Sequence, residues 1–282
     1  MRQNKKITVM GILNVTHDSF SDGGKFNSLD KDLFHVQQMI DDGADVIDIG
    51  GETTKPGSER ISAEEELDRV IPIVEAVKKR FDTQISVDTY KSAVAEEAIL
   101  CGASIINDIS GFTMDEKMPE TALKYQPVCI LMHMLGTPLT MQNNPVYKDV
   151  CGEVFSSLLE RARYFSSMGI KNIVLDPGFG FGKTTDDNYK LLAGLGELVA
   201  GGYPVLAAAS RKSMIGNVLP ADGITTAPEE RIAGTVAVHT IAVLNGAEWI
   251  RVHDVKEAVQ AVRVAEKYLE ISENKKVKKN ID

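Results

Sequence analysis

The residues best equipped for chemistry in this sequence are single polar side chains, each closing a short apolar run. They are Asn14, Asp48, Asp88, Asn107 with Asp108, His133, Asp176, the segment 210–212, and Arg251 with His253. No nucleophile–base pair stands among them: GxSxG, HExxH and paired Cys and His are all missing from the sequence. Such a set suits a reaction in which departure of a good leaving group does most of the work. An isolated Asp at the end of an apolar run is ordinarily a helix N-cap or turn former. Eight runs that all end in polar groups call for another explanation.

The polar groups sort by type along the chain. Asp176 opens DPGFGFGKT (176–184). A carboxylate there can accept two parallel N–H bonds from a 2-amino-pyrimidinone edge. Its glycines let backbone approach a flat ligand, and Phe179 or Phe181 can cover a ring face. The stretch is one residue short of GxxxxGK[ST], so it is not a P-loop. SRKS (210–213) places Lys212 where a helix starts and free N–H groups favour anions. Arg211 beside it fits a structural ion pair. Arg251 and His253 lie two residues apart, on one face of an extended run, and together can grip a diphosphate and steady its leaving charge. One side of the site is therefore expected to be anionic and amide-lined, the other cationic. A nitrogen-rich ring carrying a phosphate or diphosphate matches both sides.

Two long loops add oxygen ligands. In NVTHDSFSDGG (14–24), Asn14 and Asp22 are placed to hold Mg²⁺, with substrate phosphates filling the octahedron. GGETTKPGSE (50–59), with Thr54 and Lys55, reads as a hinged flap with one positive charge. His35 and His239 fall in helical patterns and read as structural, whereas His133 fits either a pocket wall or a satisfied core position.

The elements that must position these groups repeat. Apolar, β-branched runs occur at 7–15, 45–51, 84–89, 104–110, 128–134, 172–178, 204–210 and 249–254. They are nearly continuous in hydrophobicity, as strands are when both sheet faces are covered. Helical patterns separate them. Ser62 and Glu65 form a capping box ahead of Leu67, Val70, Ile71, Val74 and Val77. Leu33, Val36 and Ile40 share a face before Gly43, and Pro228 opens a helix that carries Ile232 to Leu244 and stops near Gly246. Eight runs in 282 residues give a repeat of about 35, the size of a βα unit. The expected fold class is α/β: a single (β/α)₈ TIM barrel over 1–271, with the active site at the C-terminal face of the strands. A polar tail (272–282) reads as a fraying terminus. An open doubly wound sheet is the alternative, but its first strand should lead into GxGxxG, which NVTHDSFSDGG lacks.

Composition narrows the classes further. Hydrophobic residues make up 43% of the chain, and the formal net charge is -9. That charge argues against nucleic acid or anionic membrane as a partner, so an anionic substrate must meet a local positive cluster. Cys101, Cys129 and Cys151 form no CxxC pair and read as reduced thiols of a reducing compartment. With no signal-like h-region and no apolar window of about 18 residues, a cytoplasmic protein is expected.

The segments GILNVTHDSFSDGG, DVIDIGGETTKPG, ISVDTYKS, NDISGF, LMH, LDPGFGFGKT, SRKS and RVHDV follow one another through all eight runs. In that order they resemble the dihydropteroate synthase family of pterin-binding barrels. The resemblance implies condensation of 6-hydroxymethyl-7,8-dihydropterin diphosphate with 4-aminobenzoate, and inhibition by sulfonamides. It implies that Asp88, Asn107, Asp176 and Lys212 bind the pterin ring, with Phe181 and Met132 lining the pocket. Asn14 and Asp22 would hold Mg²⁺, and Thr54, Lys55, Arg251 and His253 would meet the diphosphate, with Val252 among the substrate contacts. Both long loops, with Lys212 and Ser213, would shape the 4-aminobenzoate site. The implied mechanism is dissociative: diphosphate leaves, Asp88 stabilises the pterin cation, and the arylamine attacks. Asp22, Lys55, Asp88, Arg251 and His253 form the implied catalytic set, and a homodimer through the last helices is implied as well.

Two departures from the family pattern stand in the loops. His17 replaces a proline, and Lys55 replaces an arginine whose fork an ammonium does not reproduce. The runner-up enzyme is a related methyltetrahydrofolate–corrinoid methyltransferase. That reading should lack the SRK and RVH cations and the long flap, because no diphosphate is released. A binding module without catalysis is a third class.

Overall fold

The structure is a computed structural model that describes residues 6–15, 25–53, 58, 60–141, 145–220 and 225–279. Strands and helices alternate. β1 (Thr8–Asn14), β2 (Val46–Gly50), β3 (Gln84–Asp88) and β4 (Ile105–Asp108) are followed by β5 (Val128–Met132), β6 (Ile173–Asp176), β7 (Leu206–Ala207) and β8 (Trp249–Val252). Between them lie α1 (Lys25–Asp41), α2 (Ala63–Arg80), α3 (Ser92–Leu100), α4 (Met118–Tyr125) and α5 (Val150–Met168). The pair α6 (Thr185–Ala193) and α7 (Leu195–Val199), the single turn α8 (Ser213–Gly216), and α9 (Ile232–Leu244) complete the layer before α10 (Val255–Lys279). The polar residues from Ser272 thus continue α10 as far as Lys279.

All strand pairs are parallel, in the order β6-β5-β4-β3-β2-β1-β8-β7. A bridge from Leu175 in β6 to Val205, just before β7, closes the ring. This is the expected barrel, with strands shorter than the apolar runs because each run's last residues already belong to the mouth.

Strand alternation sorts the core into two parts. Outward residues such as Ile47, Val87, Ile106, Leu131, Ile250 and Val252 pack under the helices. Inward residues Met10, Val46, Ile105, Ile130, Val174 and Leu206 plug the barrel floor. Two positions further along β2, β4 and β6 stand Asp48, Asn107 and Asp176, so a buried polar ring lies above an apolar plug. Register places Asp88 beside Asn107 and Met132 beside Asp176.

Helix signals hold in part. Ser62 caps α2 by accepting the Glu65 N–H at 3.1 Å, which is the Ser62 half of the expected box, while the Glu65 carboxylate pairs with Arg69. The buried face of α2 is Val70, Ile73, Val74 and Val77, while Leu67 and Ile71 are only partly covered. The stripe is rotated from the expected one because α1 and α3 flank α2, so burial is not symmetric about the sheet. Pro228 starts a 3₁₀ turn (Pro228–Arg231) that runs into α9. His239 is buried in α9 and its Nε2 accepts the Ala209 N–H at 3.4 Å, a structural role as expected. Cys101, Cys129 and Cys151 are free thiols. Among the described residues no helix is long and apolar enough to cross a membrane.

Candidate active site

At the centre of the mouth, Arg251 reaches across from β8. Its Nε donates to Asp48 Oδ2 at 2.6 Å and one terminal nitrogen to Asp88 Oδ2 at 2.6 Å. Asn107 Nδ2 also donates to Asp48 Oδ2, at 3.1 Å, while the buried Asp48 Oδ1 has no partner among the described residues. Burial pushes the Asp88 carboxyl up to about 7, Arg251 opposes that shift, and Asp48 adds to it. The guanidinium is held above its ordinary value by the two carboxylates despite burial. The expected division into an anionic and a cationic side is therefore corrected: opposite charges interleave. Three strands end within a few ångströms of one another, and unpaired like charges there would repel at low dielectric.

The β6–α6 loop forms the other half. Asp176 is buried, and its Oδ1 accepts the Gly178 N–H at 2.7 Å. Burial raises its pKa, against Lys212, the Gly178 N–H and Lys183. Lys212 Nζ donates to Phe179 O at 2.6 Å and lies 4.6 Å from the centre of the Phe181 ring, a cation–π contact. Burial brings Lys212 down to about 8, with Asp176 opposing. It precedes α8, which is a single four-residue turn. That is too short for the anion-binding helix end expected there, so the Lys212 charge itself must act.

Lys183 is almost fully buried in the same loop. Its Nζ donates to Gly178 O at 3.0 Å, Phe181 O at 3.0 Å and His133 O at 3.2 Å, and lies 3.2 Å from His133 Nδ1. Burial brings it down to about 7. His133 is driven to about 3 by burial, Lys183 and Arg161, so it is a neutral acceptor in this contact. The loop lies too close to β5 for side chains. A Cβ on Gly178 would meet His133 O at 2.0 Å, and one on Gly182 would meet Leu135 Cβ at 2.7 Å. Both glycines also have positive φ, 68° and 64°.

Between these halves an apolar wall forms. Tyr90, Ile109 and Met132 are buried together, with Met114, Met134 and Phe181 packed against them. Carboxylates and amides beside a thioether and aromatic wall suit a flat, hydrogen-bonding heterocycle.

His253 follows β8. Its N–H donates to Ser210 Oγ at 3.1 Å, and its Nδ1 lies 3.0 Å from the same oxygen. Burial, Arg251 and Arg211 lower its pKa to about 4, so the ring is neutral at pH 7. The neutral ring can pair with Ser210 Oγ in either tautomer; when the hydroxyl donates to Nδ1, the ring proton sits on Nε2 and is a donor for an anionic ligand. Arg211, at φ 56°, is tied to Asp254 through its Nε at 2.9 Å, the structural ion pair foreseen for it.

The structure brings Asp88, Asn107, Met132, Asp176, Phe181, Lys212, Arg251 and His253 to one mouth, with Ser213 exposed at its rim. Asn14 is exposed at the end of β1, opposite Gly50 in register. Val252 is corrected: alternation turns its side chain outward into the helix-covered core, so only its backbone can face a ligand. Asp22, Thr54, Lys55 and His17 lie outside the described residues. Sequence reasoning placed Asp48 at a strand end without assigning it a partner, and did not single out Lys183. The inward phase of DVIDIGG pointed to Asp48, and the alternate glycines before Lys183 pointed to a loop with exposed carbonyls. At the root of the second loop, Glu52 accepts the Tyr90 hydroxyl at 2.9 Å and pairs with Lys91, which also pairs with buried Glu66.

A family described as pterin binding enzyme matches residues 10–253. The dihydropteroate synthase of Escherichia coli K12 is 50% identical over 270 residues, 95% of this chain and 94% of that protein. A Yersinia pestis dihydropteroate synthase solved with a sulfonamide drug complex superposes with a TM-score of 0.87 at 45% identity, covering 95% of this chain and 96% of its own. The Xanthomonas albilineans enzyme with 4-aminobenzoic acid gives 0.85 at 41% identity, covering 94% of each chain.

Proposed function

The chain belongs to the dihydropteroate synthase family of pterin-binding enzymes, and from that membership we propose how its own residues divide the reaction. The activity is transfer of the 7,8-dihydropterin-6-ylmethyl group from its diphosphate to 4-aminobenzoate. A C–O bond to diphosphate breaks, a C–N bond forms, and the attacking amine gives up one proton. The observation that carries the assignment of roles is the placement of Asp176, Lys212, Asp88 and Asn107 around one slot walled by Met132 and Phe181.

Asp176 accepts the 2-amino and ring N–H groups. Its Oδ1 keeps a lone pair beyond the Gly178 contact, and a charge-assisted pair of this kind is worth about 1.5–3 kcal/mol. Lys212 donates to the ring from beside the Phe181 face. Asp88, whose ionised form Arg251 favours against burial, faces the pterinylmethyl carbon as it becomes cationic. Arg251 and the His253 ring receive the departing diphosphate, with Thr54 and Lys55 contributing from the second loop. Ser213 at the rim, with both loops, receives 4-aminobenzoate, the position for which sulfonamides compete.

Asn14 and Asp22 would hold Mg²⁺, which supplies positive charge to the diphosphate oxygens. Asn14 fits such an ion: one exposed amide oxygen suits Mg²⁺ that keeps waters and takes phosphate oxygens, rather than an all-protein cage. Exposed Ile241 and Leu244 on α9, with Val264, Tyr268 and Ile271 on α10, support a homodimer through these helices. Three free thiols fit the cytoplasm.

One incubation with the pterin diphosphate, 4-aminobenzoate and Mg²⁺ tests the reading. Diphosphate and 7,8-dihydropteroate are expected in equal amounts, falling sharply with EDTA. A protein that binds the pterin but releases no diphosphate would sink it.

A further inference from the structure

In the β6–α6 loop, four backbone carbonyls are each capped by a side-chain donor. Gly178 O and Phe181 O accept from Lys183 Nζ at 3.0 Å each, Phe179 O from Lys212 Nζ at 2.6 Å, and Gly182 O from the Tyr147 hydroxyl at 2.9 Å. Lys183 goes further, since it also donates to His133 O at 3.2 Å on the end of β5. Lys183 is 3% exposed, and its nitrogen is surrounded by these carbonyls and the His133 ring. A buried ammonium surrounded by carbonyls is costly to desolvate, and an apolar residue would fill the space more cheaply. The loop geometry supplies the reason for a cation. Glycines of positive φ turn carbonyls inward, and buried carbonyls without donors are as costly as any orphaned polar group.

We propose that Lys183, backed by Tyr147, is a positioning residue for the pterin half of the site. It acts as a built-in multiple donor that locks the 176–182 loop onto the end of β5. The lock sets Asp176, which begins the loop, against Met132 on the neighbouring strand, and holds the Phe181 ring at the slot wall. Lys183 touches no substrate in this account. It acts through Phe181 and Asp176, and the inference rests on the pterin site proposed above.

The prediction is selective. A loosened loop misplaces the groups that read the ring, while the 4-aminobenzoate subsite rests on Ser213 and the two long loops and meets this loop only through Lys212, so it should change far less. Lys183→Met and Tyr147→Phe are measured beside the parent for the KM of each substrate, for kcat and for thermal unfolding. Lys183→Met is expected to raise the pterin diphosphate KM about tenfold or more, and Tyr147→Phe about threefold, as one half-buried hydrogen bond warrants. The 4-aminobenzoate KM should stay within about twofold. Calorimetric titration with a non-reacting pterin should show the same order of losses. If folded Lys183→Met keeps the parent's pterin KM, or if both KM values rise together, the proposal is overturned. Should Lys183→Met fail to fold, Tyr147→Phe decides, and an unchanged pterin KM overturns it. A parent protein without synthase activity fails the reading of the site instead, so the two failures are distinguishable.

Discussion

Arg251 and Lys183 are both cations drawn into the barrel mouth, and they are neutralised in opposite ways. Arg251 sits between two carboxylates and is held more firmly charged than in water. Among the described residues Lys183 has only carbonyl oxygens and a neutral imidazole at its nitrogen, and burial depresses its pKa to about 7. The difference separates two uses of charge. A guanidinium in a carboxylate pair is a hub whose partners can be exchanged for a diphosphate, since both kinds of ligand match its fork. An ammonium among carbonyls serves the backbone and offers nothing to an anion without unmaking the loop. The first arrangement is suited to chemistry, the second to shape.

The largest expected effect comes from breaking the hub. Arg251→Met leaves Asp48 and Asp88 facing each other without a cation, which should cost about 3–5 kcal/mol in urea unfolding at pH 7. The loss should shrink at lower pH, as Asp88 protonates. A variant as stable as the parent at pH 7 would show that the pair is not what holds Arg251. Next in size is Asp176→Asn, in which one acceptor oxygen becomes a donor. Pterin affinity should fall by about 1.5–3 kcal/mol, and near-unchanged calorimetry would remove Asp176 from the ring site.

The pH dependence of stability sharpens the comparison on the Lys183 side. Its pKa is about 7 folded against 10.5 for the ordinary lysine. Between those values the unfolded chain binds a proton that the native protein does not, so stability rises with pH in that window. Removing the lysine should flatten the rise by up to about 1.4 kcal/mol per pH unit. Parent and Lys183→Met unfolding curves at pH 7, 8 and 9 that stay parallel would contradict it. On the acid side, His239 is buried and held neutral at about 4 against 6.5 in the unfolded chain, so its contribution is present above pH 6.5 and lost as pH falls toward 4. His239→Gln should therefore lose less stability than the parent between pH 6.5 and 5. Smallest is Lys55→Arg, which should alter the 4-aminobenzoate or sulfonamide constants more than the pterin diphosphate constant. Steady-state kinetics with neither shifted would reject that.

Period and polarity along the chain were enough to establish eight strands and to place Asp88, Asn107 and Asp176 at their carboxyl ends. Apolar runs closed by polar residues have few folds in which every run is covered on both faces. Motif order was enough for the family. Alternation alone already turned Val252 outward, and the contrary assignment came from reading a motif as though all its residues shared a face. The identity of each charge's partner was another matter. Arg251 meets Asp48 across 203 positions of chain, and Lys183 meets His133 across 50. A list of strand ends says which charges reach the mouth, but their pairing depends on closure distances of a few ångströms, where Coulomb and desolvation energies change by several kcal/mol. Those distances exist only once β6 has bridged to β7 and the ring is shut.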